Sequence, residues 1–255
     1  MAISKNEIKY VQSLQMKKFR QRYNCFIAEG EKIASEVLAQ ERYTVQKVYA
    51  LPAWTEQHHR LLEKLPIDGV IRVSPAELEK ISTLSTPNQV LMILDIPVEE
   101  QASTAYEQVL YLDDVQDPGN LGSILRIADW FGIPAVYCSP GSVDRYNPKV
   151  VQATMGAFLR IRSKEITLPE LMTELPEWPL MGAVLDGSSV YDVGIPRKGV
   201  MVIGNESKGI RPAYQALLSH RLSIPKSPEG GAESLNAAIA TGILCALWQY
   251  PQRLR

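Results

Sequence analysis

Four short, almost wholly apolar runs constrain the fold more than any other feature of this chain: VLYLDDV, AVYCSP, LMGAVLDG and VMVIGNE. Each reads as a strand covered on both faces, because a half-exposed strand would alternate apolar and polar residues. Helical patterns lie between them. NLGSILRIADWFG sets Leu121, Ile124, Leu125, Ala128 and Phe131 on one face, and NPKVVQATMGA opens a helix with Asn147 and Pro148. RPAYQALLSH reads as a helix, RLSIP as a strand, and a last apolar helix starts near Ser234. Apolar strands alternating with helices imply an α/β fold with a largely parallel sheet.

The first part of the chain carries a similar alternation. NEIKYVQSLQMKKFR has Ile8, Val11, Leu14 and Gln15 at near-helical spacing. A strand and a helix share CFIAEGEKIASEVLAQ, with Ile33, Val37 and Leu38 inward. VQKVYAL, GVIRVS and QVLMILDIP read as strands, and PAELEKIS as a short helix capped by Ser74 with Pro75 at its first position. Residues 96–106 are polar and weakly patterned. The expected organisation is therefore an N-terminal unit over 1–95, a linker over 96–106 and a second α/β unit over 107–255.

Charge is informative by its placement. The formal net charge is −1, so no global basic footprint points to nucleic acid. Residues 1–24, however, hold Lys5, Lys9, Lys17, Lys18, Arg20 and Arg22 against Glu7 alone, a local balance of +5. Three widely spaced cysteines, Cys25, Cys138 and Cys245, fit a reducing compartment rather than a disulfide framework. No Cys or His pair has metal-ligand spacing, so no metal is expected. The N-terminal stretch MAISKNEIKYVQSL lacks a signal-peptide core, and the longest apolar stretch is too short to span a bilayer. The expected location is cytoplasmic.

Three strand-to-helix junctions carry unusual chemistry, and such junctions are where open α/β sheets bind ligands. In LDDVQDPGNLGSILRIADWFG, Gly119 and Gly122 do not form a dinucleotide fingerprint, and the lysine of a phosphate-binding loop is missing. Asn120 can serve as an ordinary helix cap or as a site residue. Arg126 can snorkel from a helix flank or direct a cation at a phosphate or sugar. In VMVIGNESKGI, Gly204 and Gly209 allow either a tight turn or close approach of backbone to a ligand. In IPKSPEGGAESLNAAIATGILCALW, Ser234 can cap the last helix and Asn236 can present its amide inward.

Taken in order, DPGNLGSILRIADWFG, VIGNESKGI and IPKSPEGGAESLNAAIATGILCALW resemble motifs 1, 2 and 3 of the SpoU (TrmH-like) RNA 2′-O-ribose methyltransferases. ISKNEIKYVQSL, KKFRQRYNCFIAEGEKIASEVL and STPNQVLMIL resemble the family's frequent N-terminal substrate-binding domain. The resemblance implies a SPOUT domain with a mostly parallel sheet and a deep trefoil knot, beside a smaller α/β domain. It implies a homodimer that binds S-adenosylmethionine and methylates a ribose 2′-OH, with ribosomal RNA the first candidate and transfer RNA the second.

By the same resemblance, Arg126 is the key polar residue and Asn120 its companion. Glu206, Ser234 and Asn236 shape the reacting site. Gly204, Asn205, Glu206, Gly209, Ile224, Ser234 and Leu235 line the S-adenosylmethionine pocket, largely through main chain. Lys5, Lys9, Lys17, Lys18, Arg20 and Arg22 are the expected RNA contacts. An arginine stays protonated, so a positioning and electrostatic role suits Arg126 better than that of a base. Two other classes compete: a SPOUT-like RNA-binding protein without catalysis, and another nucleotide-dependent α/β enzyme such as a dehydrogenase. The longer, more acidic loop KSPEGGAE departs from many relatives.

Overall fold

A computed structural model of the chain describes residues 3–40, 42–66, 68–98 and 101–250. It divides into two compact units, one of 1–98 with 144–159, the other of 99–143 with 160–255.

The first unit opens with α1 (Lys5–Ser13) and α2 (Lys17–Tyr23). The single helical pattern expected across this stretch is thus two helices, broken after Leu14. Then come β1 (Cys25–Glu29), α3 (Glu31–Ala39), β2 (Val45–Ala50), α4 (Pro52–Gln57) and α5 (His59–Leu62). β3 (Val70–Arg72), α6 (Pro75–Ile81) and β4 (Val90–Asp95) follow. Ser74 caps α6 and Pro75 occupies the first turn, as the sequence predicts, and the structure adds Glu77 as the reciprocal partner of a capping box.

The sheet order is β1-β4-β2-β3. β4 runs antiparallel to both neighbours, and only β2 and β3 are parallel. The mostly parallel sheet expected of the second unit is thus not the pattern of this one. β4 is buried through five of its six residues, so its pattern reports burial on two faces and not direction. One core cluster surrounds Phe26, Trp54 and Met92, and another surrounds Val11, Ile27 and Ile93.

The second unit contributes β5 (Gln108–Leu112), α7 (Pro118–Phe131) and β6 (Ala135–Cys138). The chain then supplies α8 (Pro148–Thr154) to the first unit, where Val151 and Phe158 join the cluster of Phe26. It completes the second unit with α9 (Leu168–Glu174), β7 (Leu180–Ser189), β8 (Gly199–Ile203), α10 (Pro212–Gln215), β9 (His220–Ser223) and α11 (Ala237–Gln249).

This second sheet has the order β6-β5-β8-β7-β9, and every pairing is parallel. Its strands therefore all end at one edge. β5 lies between β6, reached through α7, and β8, so strand order reverses there. Ligands of open parallel sheets bind outside the carboxyl ends of the strands at such a reversal. No helix among the described residues is long and apolar enough to cross a membrane.

Candidate active site at the strand ends

The loops leaving β5, β8 and β9 hold the three unusual sequence stretches, and all three emerge at the same sheet edge. Asp117 caps α7 by accepting from the Asn120 backbone N–H at 2.8 Å. Capping is thus done three residues earlier than Asn120, which is buried inside the first turn with its amide free for other work.

That amide joins all three loops. Asn120 Nδ2 donates to Glu206 Oε1 at 2.8 Å. Asn236 Nδ2 donates to Asn120 Oδ1 at 2.8 Å. Asn236 Oδ1 in turn accepts from the backbone N–H groups of Ala238 and Ile239, which makes Asn236 the cap of α11. The last helix therefore starts at Ala237, and the capping role expected of Ser234 belongs to Asn236. Ser234 and Leu235 lie in the exposed segment ahead of it.

α7 and α11 run in parallel. Their starts meet through Asn236 and Asn120, and their ends meet where Gln249 Nε2 donates to the Phe131 carbonyl. Between them, a β-carbon at Gly242 would stand 3.7 Å from Ile127, an ordinary contact. Arg126 is exposed on α7 and has no hydrogen bond or ion pair among the described residues. It is not joined to the Glu206–Asn120–Asn236 chain. Trp130, one turn further on, is 84% exposed, and Ile239 on α11 is 58% exposed.

The loop after β8 is held from within. Asn205 and Gly209 exchange both backbone hydrogen bonds, at 3.1 and 3.0 Å. Asn205 Oδ1 accepts from the Ser207 and Lys208 backbone N–H groups, while its Nδ2 donates to the Asp114 carbonyl at 2.7 Å. Gly204 is required by crowding, since a β-carbon there would stand 2.2 Å from the Gly209 carbonyl carbon. Gly209 is required by its positive φ of 66°.

Sequence reasoning missed the anchor below this loop. Asp113, buried at the end of β5, accepts from the Arg211 backbone N–H at 2.8 Å and from its Nε at 2.6 Å. This hydrogen bond to Asp113 raises the Arg211 pKa, so the cation is held more firmly. Nothing local in LDDV or GIRPAY signals the pair, which is 98 positions apart.

Of the six cations expected to face RNA, Lys5, Lys9, Lys17, Lys18 and Arg22 are exposed on α1 and α2 of the first unit. Arg20 is not. It is 2% exposed, donates to the carbonyls of Leu14 and Gln15, and forms an ion pair with Asp144. A helical period of 3.6 sets Arg20 on the opposite side of α2 from Lys18 and Arg22, so it closes the unit instead of reaching outward.

Comparison with known proteins places this geometry in context. Residues 107–246 match the SpoU rRNA Methylase family, and residues 5–92 match the MRM3-like substrate binding domain. The 23S rRNA guanosine 2′-O-methyltransferase RlmP of Bacillus subtilis strain 168 is 31% identical over 252 residues, covering 94% of this chain and 95% of that protein. A solved structure of a candidate TrmH-family RNA methyltransferase from Porphyromonas gingivalis superposes with a TM-score of 0.84 at 37% identity, covering 96% and 98% of the two chains. An AdoMet-bound rRNA methyltransferase from Sinorhizobium meliloti shares the fold, with a TM-score of 0.87 at 24% identity, covering 98% and 97%.

Proposed function

We propose a reaction for this chain from one premise: it belongs to the SpoU rRNA methylase family. The chain is an S-adenosylmethionine-dependent methyltransferase that modifies a ribose 2′-OH of ribosomal RNA. The observation that carries the reading is the Glu206–Asn120–Asn236 chain of hydrogen bonds, which ties the three family loops into one site.

The residues at the sheet edge suit an adenosine-bearing methyl donor. Gly204 and Asn205 close a tight turn on Gly209, whose α-carbon has open space beside it, next to the acid Glu206. Ile224, Ser234 and Leu235 add main-chain groups and apolar surface from a partly open segment. These residues would hold the donor, and the carboxylate of Glu206 would supply negative charge to a cationic ligand in the same site. When bound, S-adenosylmethionine supplies a methyl group already activated for displacement.

The protein's remaining work is to place the ribose hydroxyl and to manage its proton. Asn120 fixes Glu206 through Oε1 and leaves Oε2, which accepts no hydrogen bond among the described residues, to take the hydroxyl proton as the new C–O bond forms and the methyl leaves the sulfonium. Arg126 orients the hydroxyl and an adjacent phosphate, and stabilises the oxyanion that develops. Because Arg126 stands apart from the Asn120 chain, it acts on the site of a second copy. Exposed Trp130 and Ile239 on the two parallel helices support that homodimer. The reading includes the trefoil knot of the resemblance, a substrate-binding role for the first unit, and a cytoplasmic location, which suits three buried free cysteines.

The test is transfer of radiolabelled methyl from S-adenosylmethionine to unmodified ribosomal and transfer RNA, followed by nucleoside digestion. Label on a ribose of ribosomal RNA, lost in Arg126→Ala, is the expected result. Label on a base would overturn the 2′-O assignment, and ribose label on transfer RNA alone would overturn the substrate class.

A further inference from the structure

The surface of α2 has a composition that packing does not require. Arg20 faces inward, Lys18 and Arg22 form a row on the opposite side, and Phe19 and Tyr23 form a second row between them. The Phe19 and Tyr23 rings stack, with centroids 6.2 Å apart and planes inclined by 11°. Lys18 Nζ lies 4.9 Å from the Phe19 ring centre, and the Arg22 guanidinium 5.5 Å from that of Tyr23.

Tyr23 is braced rather than loose. The Tyr10 ring meets it edge-on at 5.1 Å, and Tyr10 is itself held by a hydrogen bond between its hydroxyl and Cys25 Sγ. Yet Tyr23 remains 40% exposed, and Met16 just ahead of the helix is 51% exposed. The charge around them is one-sided. Glu7, the only acid in residues 1–24, has its carboxylate engaged by the Tyr49 hydroxyl at 2.9 Å.

A braced aromatic pair with a cation over each ring fits the chemistry of an unpaired nucleotide, whose base offers a π-face and whose flanking phosphates draw those cations off the rings. We infer that the Phe19–Tyr23 pair is a stacking platform for an unpaired base of the RNA substrate, with Lys18 and Arg22 holding the phosphates beside it. The inference rests on the RNA-methyltransferase reading above and adds to the first unit a requirement for single-stranded character in the RNA.

The experiment compares Tyr23→Leu, Tyr23→Trp and Lys18→Gln in the full chain, with an unmodified ribosomal RNA transcript that the wild type methylates. Leu keeps apolar bulk without a plane, and Trp keeps the plane. Tyr23→Leu should weaken RNA binding and raise KM about tenfold, while Tyr23→Trp stays near wild type. Lys18→Gln should instead flatten the salt dependence of binding by about 0.7 in slope, the contribution of one single-strand phosphate contact. S-adenosylhomocysteine binding, measured in the same variants, should not change. Wild-type affinity in Tyr23→Leu, or a loss in Tyr23→Trp equal to that in Leu, would overturn the platform and leave the enzymatic reading standing. A wild type that methylates no RNA would overturn both.

Discussion

Asn120 Nδ2 donates to Glu206 Oε1 at 2.8 Å, joining the first turn of α7 to the loop after β8 across 86 positions of sequence. The opposite side of the same amide accepts from Asn236. One buried side chain therefore fixes two loops, and its orientation is set from both ends. Asn120→Asp keeps the size but replaces the donor with a carboxylate facing Glu206. Misplacing Glu206 by as little as an ångström should lower kcat by roughly a hundredfold. Single-turnover methyl transfer on ribosomal RNA measures this, and an unchanged rate would remove Asn120 from the site.

Arg126 tests a different dependence. It is exposed and has no partner among the described residues, so Arg126→Ala should leave the unfolding free energy within about 0.5 kcal/mol of wild type. Methyl transfer should nevertheless be lost. Arg126→Lys should restore little, because an ammonium lacks the planar fork that grips a phosphate. Denaturant titration and methyl transfer on the same samples separate the two effects. Full activity in the alanine variant would reject the electrostatic role.

Much of this was legible in the sequence, for identifiable reasons. Strand burial shows in VLYLDDV and VMVIGNE because both faces are covered, and the Ser74 cap and Pro75 start of α6 are local chemistry read directly from SPAE. The glycine-rich loop after β8 is legible because crowding at Gly204 and positive φ at Gly209 admit little else. What the sequence could not show depends on distant contacts. The direction of β4 is set by its neighbours, the anchor of Arg211 is the remote Asp113, and residues 144–159 join the first unit by packing.

Arg20 is the sharpest example, and it yields a prediction. In sequence it is one of six basic residues; in the fold it is a buried ion pair with Asp144. Asp144→Ala would leave that guanidinium buried and uncompensated, at a cost of about 3–5 kcal/mol. Chemical denaturation should show the loss, whereas Lys9→Gln, at an exposed position of α1, should leave stability nearly unchanged. A stable Asp144→Ala protein would return Arg20 to the RNA-facing set.

Gly204→Ala probes the loop without touching any charge. The added methyl would stand 2.2 Å from backbone carbon and 2.3 Å from the Ile210 nitrogen, so the loop itself must shift. Backbone cannot rotate away as a side-chain tip can, and overpacking of this kind costs about 1–3 kcal/mol. S-adenosylhomocysteine affinity, followed by calorimetry, should fall in parallel with thermal stability. Wild-type affinity would show that this loop takes no part in binding the donor.

Alkaline pH reports on α11. Burial alone pushes the Cys245 thiol up to about 12, well above its ordinary range. The folded state thus holds this proton more tightly than the unfolded state does. Its contribution to stability is complete below the unfolded pKa, and it is lost as pH rises through the folded value. Between about pH 8 and 9, where the unfolded thiol titrates and the tyrosines still titrate little, Cys245→Ala should flatten the decline of the unfolding midpoint relative to wild type. At pH 8 the native thiol should resist iodoacetamide and react only once the chain is unfolded. Rapid labelling of the native protein would mean that α11 opens locally, and the parallel seat against α7 would then not be the fixed wall that the Asn236–Asn120 bond requires.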